Sequence, residues 1–279
     1  MTDQRRVALI TGASEGIGRE LAFVFAAHGH DLALTARRGD LLDAVADALV
    51  RDGRPRPLLY VCDLAQQNGP RRLAATLAAA GAAVETLVNN AGFGASGAFE
   101  DNALDDSLGM IDLNVRALVE LTALFLPQIR ACGGGVLNVA SIAAFAPGPG
   151  MAVYYASKAF VLSFSEALHA ELGGAARVSA LCPGPVATGF QARAGLPTKG
   201  DLGPTALSAR ATAEAAYRGY MAGRRVIVPG RGNQVLSALL AYFPHRLLLP
   251  ALAARNRGRA ASVASHDGVA DRDCVGTRR

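Results

Sequence analysis

Residues 7–18 read VALITGASEGIG. A short apolar run ends in a turn with three glycines, and helical spacing begins directly after it, with Leu21, Phe25 and His28 on one side. Gly12 permits a sharp turn, Gly16 lets another group approach the backbone, and Gly18 lets the new helix pack closely on the strand. The segment therefore predicts a strand, a tight turn and a helix, although an ordinary strand-to-helix turn carries glycines too.

The same alternation of apolar runs and amphipathic segments continues along the chain, without internal repeats. It predicts an α/β fold with a single doubly wound Rossmann-type parallel sheet, helices on both faces and a C-terminal helical extension. A Gly- and Pro-rich loop is expected at 184–205. The predicted strands are 7–11, 32–35, 58–62, 86–89, 136–140, 177–181 and 225–228. The predicted helices are 16–28, 41–49, 72–80, 103–131 with breaks or bends near Asp112 and Pro127, 153–172, 206–222 and 234–252.

The charge distribution divides the chain into three predicted regions. Residues 1–230 carry 20 basic and 20 acidic side chains, whereas residues 231–279 carry eight Arg and three Asp. We therefore expect a dinucleotide-binding and catalytic domain at 1–230, an amphipathic extension at 231–254 and a disordered basic tail at 255–279. The neutral main body argues against a nucleic-acid-binding protein.

The sequence also bears on the cellular location of the protein and on the role of its C-terminal extension. No secretory signal and no apolar run of membrane-spanning length are visible, and the four Cys form no close pair, so a reduced, cytoplasmic location is expected. The apolar segment 236–259 packs on its own domain, covers a substrate pocket, forms a subunit contact or lies on an anionic membrane surface.

The residues after the second strand indicate which phosphate-containing ligand binds at the glycine turn. Backbone N–H groups at a helix N-terminus bind phosphate groups. The second strand is followed by Arg37 and Arg38, with no acid before Asp40, and paired guanidinium groups suit a ribose 2′-phosphate. The sequence thus favours NADP over NAD, although the two Arg can equally be solvated and Glu15 in the turn argues mildly against it.

A second constellation lies at 141–158. Tyr154 and Lys158 are four residues apart in a predicted helix and share one face, and Ser141 ends the fifth strand, where ligands of parallel sheets bind. An adjacent ammonium lowers the pKa of a phenol toward the range useful for proton transfer. Lys158 is one of only two Lys, against 26 Arg. The expected roles are proton transfer by Tyr154 and binding of a substrate oxygen by Ser141.

Over roughly residues 5–230 the chain resembles the short-chain dehydrogenase/reductase family. The resemblance rests on TGASEGIG at 11–18, NNAG at 89–92, Asn114, Ser141, Tyr154 with Lys158, and PGPVAT at 183–188, all in the family's order. It implies that Asn114 steadies a water linked to Lys158, that Asp63 contacts the adenine, and that Val186 and Thr188 meet the nicotinamide. The implied catalytic residues are Ser141, Tyr154, Lys158 and Asn114. The implied cofactor-binding residues are Gly12, Ser14, Glu15, Gly16, Ile17, Gly18, Arg37, Arg38, Asp63, Leu64, Asn90, Ala91, Gly92, Tyr154, Lys158, Val186 and Thr188.

The resemblance also implies an activity, namely hydride transfer between NADP(H) and a small carbonyl or alcohol substrate, in a homodimer or homotetramer. Two alternatives stay open. One is a reductase of 3-oxoacyl chains on a carrier protein or coenzyme A, for which the basic tail offers a docking surface. The other is a non-catalytic dinucleotide sensor. No metal site is expected, because the five His have no ligand spacing.

Overall fold

A computed structural model describes residues 4–195, 203–244, 246–250 and 252–254 of the protein. The predicted disordered tail at 255–279 lies outside the described residues, as does part of the loop predicted at 184–205. The doubly wound fold predicted from the sequence is confirmed.

Seven parallel strands form one sheet in the order β3-β2-β1-β4-β5-β6-β7. The order reverses between β1 and β4, and in open sheets of this kind ligands bind outside the carboxyl ends of the strands at such a point. Every predicted strand is present, with ends shifted by a few residues. The strands are β1 Arg5–Thr11, β2 Leu32–Ala36, β3 Leu58–Val61, β4 Ala82–Asn89, β5 Gly135–Val139, β6 Arg177–Leu181 and β7 Val226–Ile227.

Helices cover both faces of the sheet. One hydrophobic core combines β1 and β2 with the first, second and eighth helices, and another combines the opposite face with the third, fifth and sixth. Central strands are consequently buried on both sides, which explains their continuous apolar sequence. The helices are α1 Gly16–Ala27, α2 Gly39–Arg51, α3 Gly69–Ala79, α4 Leu104–Ile111, α5 Leu118–Ala131, α6 Ala152–Leu172, α7 Phe190–Arg193, α8 Ala209–Met221 and α9 Arg231–Tyr242.

The long helix predicted at 103–131 is interrupted once. A π-helical turn, Asp112–Ala117, joins α4 to α5, which confirms the break predicted near Asp112. The helix continues through Pro127, so a break there is wrong, and the alternative of a bend stays a prediction. The short helix α7 lies inside the segment predicted to be a loop.

The C-terminal extension is helical but not continuous. The single helix predicted at 234–252 ends at Tyr242, because the following Phe243-Pro244 cannot continue it, and helical structure resumes at 246–250 and 252–254. Within the described residues, no single helix is long and apolar enough to cross a membrane. Arg231–Tyr242 and Arg246–Ala254, bent by 116°, meet the length and composition requirements only as a pair.

Candidate active site

The glycine turn forms the base of the site at the carboxyl end of β1. Gly12 and Gly16 have φ of +64° and +58°, a region that side chains other than Gly rarely adopt. Gly18 lies in the first turn of α1, where a Cβ atom would be 2.3 Å from the carbonyl oxygen of Gly12. The positive φ of Gly12 and the close packing of Gly18 agree with their predicted roles, and Gly16 has a backbone conformation that favours Gly.

Thr11 and Asn90 fix this turn to the end of β4. The Thr11 hydroxyl accepts hydrogen bonds from the backbone N–H groups of Asn90 and Ala91, both at 2.9 Å. The Asn90 side-chain amide donates to the carbonyl oxygens of Thr11 and Gly12, at 2.9 and 3.1 Å. Thr11 is a site residue that the sequence reasoning passed over, although it directly precedes the first glycine of the motif.

One side of the turn borders a cavity of about 110 Å³. It brings together predicted residues from the ends of four strands, and Gly18 is not among them because it packs behind the turn. The predicted residues lining this smaller cavity are Gly12, Ser14, Glu15, Arg37, Arg38, Asp63, Leu64, Asn90, Ala91 and Gly92.

Glu15 holds two guanidinium groups together beside that cavity. Its carboxylate is 2.7 Å from Nη2 of Arg38 and also accepts a hydrogen bond from Arg193 of α7. Burial alone would raise the pKa of Glu15, but the hydrogen bonds from Arg193 and Arg38 lower it below its ordinary value. Glu15 is therefore ionised at neutral pH and compensates charge on Arg38, a contact that the sequence did not reveal.

The other side of the turn opens on a larger cavity of about 470 Å³, which contains the predicted Ser, Tyr and Lys. Tyr154 and Lys158 are one turn apart on α6, and the Lys158 Nζ lies 5.9 Å from the centre of the Tyr154 ring. Lys158 donates a hydrogen bond of 2.8 Å to the carbonyl oxygen of Val139 in β5. Ser141 lies close enough to Tyr154 to influence its pKa, and all three residues line the cavity wall.

Burial dominates the electrostatics of this trio. It raises the pKa of Tyr154 to about 12, against the opposing hydrogen bond of Ser141. It lowers the pKa of Lys158 to about 8. The shift of the phenol is thus opposite to the one expected from the adjacent ammonium, because loss of hydration disfavours the phenolate more than neighbouring groups stabilise it. At neutral pH Tyr154 holds a proton and Lys158 is a cation.

Asn114 lies behind the trio, in the π-helical turn between α4 and α5. Its side-chain amide exchanges hydrogen bonds with the backbone of Phe93 and donates to the Ser157 hydroxyl at 3.0 Å. Ser157 in turn donates to the carbonyl oxygen of Tyr154. Asn114 is 2% exposed and lines neither cavity, so it acts on the site through α6 and the NNAG segment.

The PGPVAT segment closes the far side of the larger cavity. Thr188 lies against the glycine turn, since its Cβ atom would be 3.2 Å from a Cβ atom added to Gly16. Gln191 of α7 accepts a hydrogen bond from the Thr188 backbone and donates one to the carbonyl oxygen of Val186. Gln191 is a buried positioning residue that sequence reasoning missed, because α7 lies in a segment with loop-like composition.

The two cavities share Glu15, Asn90 and Arg193 and so form one cleft around the glycine turn. Its narrow lobe ends at two Arg and its wide lobe at the Ser, Tyr and Lys. A dinucleotide fits this arrangement. The turn is too crowded for side chains other than hydrogen, so its backbone N–H groups can approach a phosphate, and one lobe lies on each side of the turn.

A family model described as short chain dehydrogenase matches residues 6–197. The chain belongs to this family. The resemblance recognised from the sequence motifs is thereby confirmed, and it covers more than half of the chain.

Two relatives of this short-chain dehydrogenase have names that indicate different substrates. The 11-beta-hydroxysteroid dehydrogenase 1A of Arabidopsis thaliana is 36% identical over 180 residues, which are 64% of this chain and 52% of that protein. The chain thus aligns with about half the length of that relative. A sulfoacetaldehyde reductase of Chromohalobacter salexigens is 38% identical over 226 residues, 80% of this chain and 83% of that protein.

Solved structures of the family share the fold at similar identity. A short-chain dehydrogenase from Sphingobium yanoikuyae in complex with NADPH has a TM-score of 0.73 at 30% identity, covering 98% of this chain and 99% of that one. A bulky-bulky ketone specific alcohol dehydrogenase from Comamonas testosteroni gives 0.70 at 30%, covering 87% and 96%. A Burkholderia phymatum member in complex with NAD gives 0.73 at 26%, covering 86% and 94%.

Proposed function

We propose that this short-chain dehydrogenase is an NADP(H)-dependent oxidoreductase that interconverts a carbonyl compound and its alcohol, with Tyr154 as the general acid and base. The observation that carries the proposal is the meeting of Tyr154, Ser141 and Lys158 at the wall of the wide lobe, next to the glycine turn. A non-catalytic sensor has no use for a buried phenol and ammonium beside an open cavity.

The residues of the cleft suit a nicotinamide dinucleotide. The glycine turn would hold the pyrophosphate, Asp63 and Leu64 would border the adenine, and Val186 and Thr188 would border the nicotinamide. The bound dinucleotide supplies or accepts the hydride. Binding of NADPH and NAD by two structural relatives agrees with this class of cofactor.

The proton chemistry follows from the burial of Tyr154. With a pKa of about 12 the phenol is protonated at neutral pH and can serve as the proton donor to a carbonyl oxygen, as a weaker acid than an exposed Tyr. The Ser141 hydroxyl lies beside it and can donate a hydrogen bond to the same oxygen as negative charge develops there. The Lys158 ammonium stabilises the phenolate that remains, and Asn114 keeps α6 in place.

Arg37 and Arg38 support a preference for NADP. Both are exposed beside the narrow lobe, at the end of β2, where an acid would favour NAD. The pairing of Arg38 with Glu15 tempers that preference without removing it, since Arg37 keeps its charge beside the lobe.

The wide lobe favours an uncharged and largely apolar substrate. Of the described residues that line it, only Glu15, Lys158 and Arg193 carry charge, and Glu15 and Arg193 pair with each other. An anionic substrate such as sulfoacetaldehyde would meet only two cations there, Lys158 of the proposed catalytic group and Arg193, which pairs with Glu15. The ketone and steroid substrates in two relatives' names fit this lining better. Apolar or small residues at the substrate end are Ala98, Ala143, Met151, Tyr155, Phe190 and Ala253.

The test compares Tyr154→Phe with Tyr155→Phe. The neighbouring residues undergo the same loss of a hydroxyl, but Tyr155 lies about 100° around α6. For Tyr154→Phe we expect kcat for ketone reduction to fall by about 10²- to 10⁴-fold with an unchanged NADPH dissociation constant. For Tyr155→Phe we expect a change of less than about tenfold. Wild-type turnover by Tyr154→Phe would refute the assigned proton donor.

A further inference from the structure

Helix α9 is amphipathic in the reverse of the usual sense. It buries two polar side chains, Asn233 and Ser237, and exposes three large apolar ones, Val235, Leu239 and Tyr242. The Asn233 amide donates to the carbonyl oxygens of Thr205 and Pro229, which explains why this polar side faces the domain.

The exposed apolar side chains follow one another along the C-terminal extension. Val235, Leu239 and Tyr242 have helical spacing on one side of α9, and Phe243 and Leu247 follow across the bend of 116° between α9 and the next helical segment. Their exposed fractions run from 46% for Phe243 to 89% for Tyr242. We call these five residues the C-terminal strip. Isolated exposed apolar residues are ordinary, but a contiguous group marks an interaction surface.

Charge identifies what the C-terminal strip contacts. Between Glu214 and Asp267 the sequence contains eight Arg and no acidic residue. Arg231 lies one turn before Val235, Arg246 directly precedes Leu247, and both are exposed. A two-fold contact between two copies of the strip would bring these Arg together, and this stretch of the sequence supplies no carboxylate to pair them. An anionic lipid surface instead accepts apolar side chains, an interfacial Tyr and flanking Arg at the same time.

The C-terminal strip also adjoins the wide lobe. The helical segment that follows Leu247 buries Leu252, and Ala253 lines the cavity. A surface placed on the strip is therefore connected through about six residues to the wall of the substrate cavity. An apolar substrate dissolved in lipid would be near the site whenever the strip is bound.

We propose that the C-terminal strip, Val235, Leu239, Tyr242, Phe243 and Leu247, binds the surface of an anionic lipid bilayer. The apolar side chains enter the interfacial region while Arg231 and Arg246 contact lipid phosphates. This contact is peripheral, and it does not depend on the reaction proposed for the cleft.

The experiment is flotation of the full chain with vesicles of phosphatidylcholine alone or with one third phosphatidylglycerol. We expect binding to the mixed vesicles and at least tenfold weaker binding to phosphatidylcholine, since each Arg near an anionic surface contributes about fivefold. Leu239→Glu and Tyr242→Glu, tested separately, are expected to lower binding to the mixed vesicles by about tenfold or more. Arg231→Gln and Arg246→Gln are each expected to lower it about fivefold.

Matched controls carry the same changes away from the strip. Leu104→Glu places the same charge on α4 at a residue that is 67% exposed, and Arg54→Gln removes an exposed Arg after α2. Both should bind as wild type does. The strip variants change exposed side chains, so their thermal midpoints are expected within about 2 °C of wild type. Should Leu239→Glu fail to fold, Tyr242→Glu carries the comparison.

Three results would overturn the proposal. One is a wild-type chain that floats with neither vesicle. The second is equal loss of binding in Leu104→Glu and in the strip variants. The third is a wild-type oligomer that dissociates in Leu239→Glu, measured by light scattering, because the strip would then be a subunit contact.

Discussion

At the scale of single residues, Lys158 has an unusual environment, because its ammonium is buried. Its side chain is 6% exposed and lies in the core beside Tyr154, with the Val139 carbonyl oxygen as hydrogen-bond acceptor. Burial lowers the pKa of the ammonium from 10.5 to about 8. Below pH 8 the folded protein therefore holds a buried cation at a cost in stability, which is consistent with a group retained for function.

This cost makes the stability of the protein depend on pH. Between pH 8 and pH 10.5 the unfolded chain binds a proton at Lys158 and the folded chain does not, so stability rises with pH across this window. In Lys158→Met that contribution is absent. Between pH 7 and pH 10 we expect the free energy of unfolding of the wild type to rise by about 2 kcal/mol relative to that of Lys158→Met.

Urea denaturation of both proteins at several pH values measures this difference. The comparison cancels ionisable groups that the two proteins share, and stopping at pH 10 avoids most of the ionisation of Tyr154. Parallel pH profiles for wild type and Lys158→Met would mean that the ammonium is not destabilised by burial.

Glu15 is the residue whose role the sequence described least well. It stands in the glycine turn as a mild argument against NADP, yet in the structure it pairs with Arg38 and Arg193. A ribose 2′-phosphate at the end of β2 would compete with this carboxylate for Arg38. Glu15 is therefore expected to weaken the affinity for NADPH while leaving that for NADH largely unchanged.

Glu15→Gln tests this competition. Removing the charge frees Arg38, and we expect the ratio of NADPH to NADH affinity to rise about fivefold, the upper range for a partly exposed ion pair. Glu20→Gln is the matched control, because Glu20 pairs with Arg19 and Arg210 and lines neither cavity. Fluorescence titration of both cofactors gives the ratios, and an unchanged ratio in Glu15→Gln would contradict the competition.

At the scale of secondary structure, sequence periodicity located every strand but not every boundary. The residues Ala82 to Glu85 extend β4 before its apolar run, because pairing with β1 provides hydrogen bonds that a single-strand pattern does not show. The π-helical turn was predicted only as a break near Asp112. Its position is set by the hydrogen bonds of Asn114, a tertiary interaction that has no local signature.

Two glycines in helices have opposite environments and test how α1 packs. A Cβ at Gly18 would be 2.3 Å from the Gly12 carbonyl oxygen, whereas one at Gly109 in α4 would be 3.4 Å from the Phe93 ring. We expect Gly18→Ala to lower the free energy of unfolding by about 1–3 kcal/mol and to weaken cofactor binding. We expect Gly109→Ala to raise it by about 0.5–1 kcal/mol, through helix propensity alone.

Chemical denaturation and NADPH titration of the two variants provide the measurements. If Gly18→Ala were as stable as Gly109→Ala and bound NADPH equally well, the close packing of α1 against the glycine turn would be unnecessary for the site.

At the scale of the whole molecule, the sequence predicted which motif residues line the cleft, but it did not predict the shape of the cleft. Motifs fixed Tyr154, Lys158 and Ser141, because each occupies a strand end or a helix face that the parallel fold brings to one edge of the sheet. Gln191 and Arg193 were not predicted, and Ala253 was covered only by the expectation that segment 236–259 packs on its own domain, covers a substrate pocket, forms a subunit contact or lies on a membrane surface. They reach the cleft from α7 and the C-terminal segment, whose positions depend on packing between parts of the chain distant in sequence.

Ala253 brings the C-terminal segment to the substrate cavity. Its side chain lines the wide lobe, while that of the next residue, Ala254, is exposed and lines neither cavity. Ala253→Trp is expected to fill part of this cavity of about 470 Å³. It should exclude bulky substrates while leaving room for small ones and for the cofactor.

We expect Ala253→Trp to lower kcat/KM for a two-ring ketone by about tenfold or more and for a three-carbon ketone by less than about threefold. Ala254→Trp adds the same bulk at an exposed position and should leave both values near those of wild type. Steady-state kinetics with both ketones, together with the NADPH dissociation constant, separate loss of substrate space from loss of cofactor binding. Equal losses for both ketones in Ala253→Trp would show that the C-terminal segment supports the fold of the site and does not bound its substrate cavity.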